Sequence, residues 1–121
     1  MKTKSIKELA VDLTVEITAL CDSIKAKAVF TNQLIRSCSS IGANVHEAKY
    51  AQSRADFISK MEIALKECYE TEYWLEILHR VHSLTDEQFD AVSKDCGTVR
   101  RKLIASIMTA KKNGEEDALI R

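Results

Sequence analysis

RSCSSIGANVHEA, residues 36–48, decides the fold. Three serines, a glycine and an asparagine suit a loop that cradles a ligand, but the spacing suits a helix. Leu34, Cys38, Ile41, Val45 and Ala48 advance by 4, 3, 4 and 3, the rhythm of a single helix face. The stretch therefore reads as helix. Phosphate cradling needs a glycine-rich turn that opens a helix, and Gly42 stands alone in mid-helix. A glycine there costs about 1 kcal/mol relative to alanine. Gly42 lies one turn from Cys38 and Val45, so close approach of a neighbouring helix is the expected gain.

The same rhythm continues on either side. Ile6, Leu9, Leu13, Ile17, Leu20 and Ile24 form one stripe; Phe57, Met61, Ala64, Cys68, Thr71, Leu75 and Leu78 form another. Phe89, Val92, Cys96, Val99, Leu103 and Ile107 form the last. Proline is absent and glycine occurs three times, as long uninterrupted helices require. The second helix begins between Lys27 and Thr31. Ser53 or Asp56 caps the third, and Thr85 with Gln88 has the capping-box spacing for the fourth. Asn113-Gly114 is the expected end of that helix. Short connections make neighbours antiparallel, so the expected fold is an all-α, antiparallel up-down-up-down four-helix bundle. Residues 1–113 form its single domain and 114–121 a frayed C-terminal tail.

A chain of 121 residues buries one core. Its 18 Lys+Arg balance 18 Asp+Glu, so no net field draws in polyanions and any nucleic-acid surface is local. The N-terminus has no apolar signal core and no segment is apolar enough to span a membrane, which makes the cytoplasm the expected location. Cys21, Cys38, Cys68 and Cys96 form no C-x-x-C pair, and three lie on apolar stripes. Buried reduced thiols acting as small hydrophobes is the leading reading, with disulfides or a metal site as alternatives. Glu76 and His79 make an E-x-x-H, a pattern that supplies metal ligands in ferritin-like bundles. His46 and His82 follow Ala43 and His79 by three, so the required second copy is missing. No G-x-S-x-G, H-E-x-x-H or readable Cys–His spacing occurs. The expectation is a protein without catalytic residues, metal or cofactor.

What remains are faces. Arg36, Ser40, Asn44 and Glu47 form a second stripe on the second helix; Arg36, Ser40 and Glu47 each stand two residues, or about 200°, from a core position. Its small uncharged residues suit packing against another chain, with Arg36 and Glu47 satisfied by partner groups. On the third helix Ile63, Tyr73, Trp74, Ile77 and Val81 widen the apolar arc beyond one core stripe, as an interaction surface with aromatic anchors would. These eight residues, Arg36, Ser40, Asn44, Glu47, Ile63, Tyr73, Trp74 and Ile77, are the candidate oligomer interface. Residues 53–81 carry six acids against four bases; residues 94–112 carry six Lys or Arg against Asp95 alone. That second segment is either a solvated helix end suited to its dipole or a set of phosphate contacts.

The chain resembles a known family through Gln33, Arg36-Ser37, Ser40-Ile41-Gly42-Ala43-Asn44 with Glu47-Ala48, and SRADF at 53–57. Leu65-Lys66-Glu67, Glu70-Thr71 and Trp74-Leu75-Glu76 through Leu78 extend the likeness. It is similar to the bacterial four-helix-bundle proteins first noticed as reading frames in intervening sequences of 23S ribosomal RNA genes. The resemblance spans about Ile6 to Lys112, ungapped over 31–78. It implies a cytoplasmic, non-enzymatic bundle that assembles as a homopentamer. The accessory variability proteins of diversity-generating retroelements are similar in fold and act with a reverse transcriptase and nucleic acid. The alternative is accordingly an RNA- or DNA-binding, or ribonucleoprotein accessory, protein acting with a reverse transcriptase or ribosomal RNA. Its candidate contacts are Arg36, Lys49, Arg54, Arg100, Arg101 and Lys102. The relatives' denser basic run before the third helix is represented here by Lys49 and Arg54.

Overall fold

The computed structural model describes residues 3–120, which form four helices: α1 (Ile6–Ser23), α2 (Ala28–Ala48), α3 (Arg54–Arg80) and α4 (Asp86–Ile120). Side-chain caps set three of the four starts. The Ser5 hydroxyl accepts from the Glu8 N–H at 3.1 Å, and Ser53 accepts from the Asp56 N–H at 3.0 Å. Asp56 in turn accepts from the Gln52 N–H at 3.2 Å, so both residues expected at this boundary take part in it. Thr85 and Gln88 exchange two bonds, of 2.9 and 3.1 Å, completing the capping box. Lys27 precedes α2 and gives no side-chain cap.

Each helix packs on its neighbours in the chain, and α1 closes the ring against α4. The backbones of the diagonal pairs do not approach one another among the described residues. This is the expected up-down-up-down arrangement. Its centre is the predicted set of stripes: Leu13, Ile17, Leu34, Cys38, Ile41, Ala64, Cys68, Leu75, Leu78, Val92, Cys96, Val99 and Leu103 are all buried. Stripe ends such as Ile6, Phe57 and Phe89 are half-buried and pack against that core. No strand occurs among the described residues.

Gly42 does meet another helix. A Cβ built on it would lie 3.5 Å from the Cβ of Ala10, which is itself buried on α1. That is ordinary contact, so α1 comes close without requiring the glycine.

The end of α4 corrects an expectation. The helix passes through Asn113-Gly114 and continues to Ile120. A glycine stop needs a left-handed residue, and none of the three glycines has positive φ. Arg54, at the start of α3, lies over Gly114 and reaches Asp117 at 2.7 Å, which ties the extra turns to the bundle. Arg121 lies outside the described residues.

Candidate functional site

The α2–α3 hairpin turns about Ser53, so residues whose numbers sum to about 106–108 stand level. Three pairs show this register: Arg36 with Glu70, Ser37 with Thr71, and Glu47 with Lys60. Ser37 is buried in the seam. Its hydroxyl meets that of Thr71 at 3.0 Å, and each hydroxyl also lies within reach of a carbonyl of its own helix. Neither is left unpaired.

Arg36 lies over this seam at the protein surface. It binds Glu67 at 3.3 Å, Glu70, and the side-chain oxygen of Gln33 at 2.8 Å. Glu70 also accepts from the Trp74 indole N–H at 2.9 Å. This indole bond and the Arg36 guanidinium hold the Glu70 carboxyl below the usual carboxylate range, against the opposing effect of partial burial. The same contacts hold the Arg36 proton more firmly than usual.

Trp74 is half-buried between two rings. Tyr73 meets it edge-on at 5.0 Å between centroids, and Phe30 of α2 lies 6.2 Å away. Tyr73 is 51% exposed and Ile63 40%, while Ile77 is half-buried. A band of aromatic and aliphatic surface thus runs along α3, bordered on α2 by Ser40 and Asn44. Those two satisfy themselves locally: the Ser40 hydroxyl donates to the Arg36 carbonyl and the Asn44 amide to the Ser40 carbonyl. One expectation is corrected here. The charges of Arg36 and Glu47 need no partner chain, because Glu67 and Glu70 face Arg36, and Lys60 lies 3.7 Å from Glu47.

The basic candidates do not form one track. Arg36 and Arg54 are paired as above, and Arg100 gives its Nε–H to Glu72 at 3.0 Å. Lys49, Arg101 and Lys102 have no carboxylate partner among the described residues. Lys49 sits at the end of α2, whereas Arg101 and Lys102 sit midway along α4. The two residues of the E-x-x-H have separate partners. Glu76 faces Arg80 at 3.5 Å, while His79 lies 2.7 Å from Asp86 and stacks on Phe89.

A profile of the family described as 23S rRNA-intervening sequence protein matches residues 2–105. The chain belongs to that family. A solved structure of a protein of unknown function, from the S23 ribosomal protein family of Bacteroides thetaiotaomicron, is 42% identical to it. The match has a TM-score of 0.80 and covers 85% of this chain and 98% of that one. No curated protein matches. The bundle is therefore shared with a relative whose function is itself unknown.

Two features of this intervening-sequence family member escaped the sequence reading. Tyr69 is 51% exposed one turn from Tyr73, and that i, i+4 spacing was the available signal. The other is in the core. Cys68 and Cys96 bring their Sγ atoms to 3.7 Å beside the Glu72–Arg100 pair. Both cysteines lie 14 residues from His82, where the α3–α4 hairpin turns, so equal spacing about the turn could have matched them. No helix among the described residues is long and apolar enough to cross a membrane.

Proposed function

We propose that the chain is a non-enzymatic helical-bundle scaffold that assembles with copies of itself, as a homopentamer, in the cytoplasm. The observation that carries this reading is the apolar and aromatic surface on α3, where Ile63, Tyr69 and Tyr73 are each at least 40% exposed and Tyr73 meets Trp74 edge-on. Large exposed aromatics on one helix face are what an interface core uses, and a monomer gains nothing from them. Ser40 and Asn44 alongside leave little side-chain bulk, so a second chain can come close. In the assembly the Arg36–Glu70–Trp74 contacts fix the ring beside the band rather than contribute charge across the boundary. Size exclusion with light scattering tests the proposal. The expected mass is five chains of 13.6 kDa each at micromolar concentration. Ile63→Glu with Tyr73→Glu should release monomers that keep their helicity. A wild-type monomer at that concentration overturns the reading.

A second reading, an RNA- or DNA-binding accessory protein, is favoured by the family description and by Lys49, Arg101 and Lys102, which have no carboxylate partner among the described residues. Pairing of Arg36, Arg54 and Arg100 within the chain leaves a small cationic footprint, which predicts a shallow salt dependence. Titration of structured RNA and of duplex DNA at low salt tests this. Absence of binding to both removes it.

A further inference from the structure

We propose that Cys68, Cys96 and Glu72 form a binding site for one thiophilic divalent cation, zinc in type, in the seam between α3 and α4. The two Sγ atoms are 3.7 Å apart, and a Glu72 carboxylate oxygen and both sulfurs all lie within 4.8 Å of one another. A tetrahedral ion with metal–sulfur bonds of about 2.3 Å holds its two sulfurs roughly 3.8 Å apart. The thiols already stand at that edge length.

The backbone explains the convergence. Equal spacing about His82 sets Cys68 level with Cys96. Helical side chains lean toward the N-terminus of their own helix. Glu72 therefore leans back over Cys68, Arg100 leans back over Cys96, and the two meet at 3.0 Å above the sulfurs. Both cysteines are fully buried, whereas the Glu72 side chain retains 32% of its exposure. The carboxylate side is thus the way in, and it leaves a fourth position for water.

The charges also close. A dication with two thiolates and one carboxylate carries −1, and Arg100 brings the group to neutrality in a place where net charge would be costly. In the metal-free chain the hydrogen bond with Cys68, and then burial, favour the neutral thiol at Cys96. Binding breaks two S–H bonds, forms two S–metal bonds and releases two protons to solvent. No oxidation state changes. The preference for a soft-tolerant ion follows from the sulfur donors. This site is separate from the α2–α3 surface.

Cobalt(II) reads the site directly. The full-length chain, freed of metal and kept under a non-thiol reductant, should take up one equivalent. It should show thiolate-to-cobalt charge-transfer absorption, and zinc should displace the cobalt. While both thiols are protonated, apparent affinity should rise about 100-fold per pH unit. Cys68→Ala and Cys96→Ala should each abolish the charge-transfer band, and Glu72→Gln should weaken uptake at least about tenfold. Cys21→Ser should leave the band intact. Zinc should raise the melting temperature of the wild-type chain but not that of the Cys68→Ala, Cys96→Ala double variant. The melting shift of the wild type needs no variant to fold. A missing charge-transfer band, a band that survives in the double variant, or uptake independent of pH overturns the proposal. So does a chain whose Cys68 and Cys96 are joined as a disulfide and which, once reduced, still takes up no cobalt.

Discussion

Gly42 shows how much a single residue can mislead. Its neighbour Ala10 is close, but a methyl group added at Gly42 would meet it at 3.5 Å, within normal contact. The helix meanwhile bears the backbone cost of glycine without relief from α1. Gly42→Ala should therefore raise stability by about 0.5–1 kcal/mol, read as a higher urea midpoint with an unchanged slope. A lower midpoint would mean that α1 cannot accept the methyl. The core residues around it were legible because apolar periodicity reports burial directly. Thr71 stood in its stripe as the one polar member, but Ser37 was less legible. A sequence pattern counts a hydroxyl as polar, yet a hydroxyl that meets another hydroxyl and lies near its own helix's carbonyls can be buried without loss. Arg36 escaped for a different reason: its partners are 31 and 34 residues away, and only the hairpin register brings them near.

At the scale of the helix, starts were readable and ends were not. Ser53, Asp56, Thr85 and Gln88 mark their boundaries with side-chain atoms that satisfy open N–H groups. Lys27 offers none, which is why the start of α2 could be placed only within a few residues. C-termini instead depend on backbone shape. α3 ends in a Schellman turn in which the His82 N–H bonds the His79 carbonyl at 3.1 Å and the Ser83 N–H bonds Leu78 at 2.9 Å. The left-handed position in that turn, normally a glycine, is His82 at φ 62°. The chain turns there because Leu84 must reach the core and Thr85 must start α4. Asn113-Gly114 carries the usual stop signal, yet no packing asks for a turn and Arg54 holds the next turn in place. His82→Gly should relieve the strained backbone and raise stability by up to about 1 kcal/mol. The expected readout is a higher thermal midpoint with unchanged helicity. A fall would show that the imidazole makes a contact worth more than the strain.

For the whole molecule, the ring of helices is closed by its thinnest seam, α1 against α4. That seam carries a pair of acids. Glu16 is half-buried beside Asp95, and desolvation, then a hydrogen bond and repulsion from Asp95, push its carboxyl up from 4.5 to about 7. A raised acid binds its proton more tightly folded than unfolded. Its contribution to stability is therefore complete below its ordinary value of 4.5 and is lost as pH rises through about 7. The facing groups sharpen the effect: Asp95 and Asp12 line the same groove, and Lys4, its nearby cation, is engaged by Asp12 at 2.6 Å. Above neutrality Glu16 carries its charge beside Asp95, where the bundle must close. Glu16→Gln keeps the size and hydrogen-bonding capacity of the side chain while removing the titration. The variant should melt higher than the wild type at about pH 8, and the two curves should converge below about pH 4.5 as the wild-type carboxyl takes up its proton. Thermal unfolding at matched ionic strength across that range decides the matter. A constant offset between variant and wild type at every pH would place the effect in packing rather than protonation, and the closing seam would then not be the pH-sensitive part of the molecule.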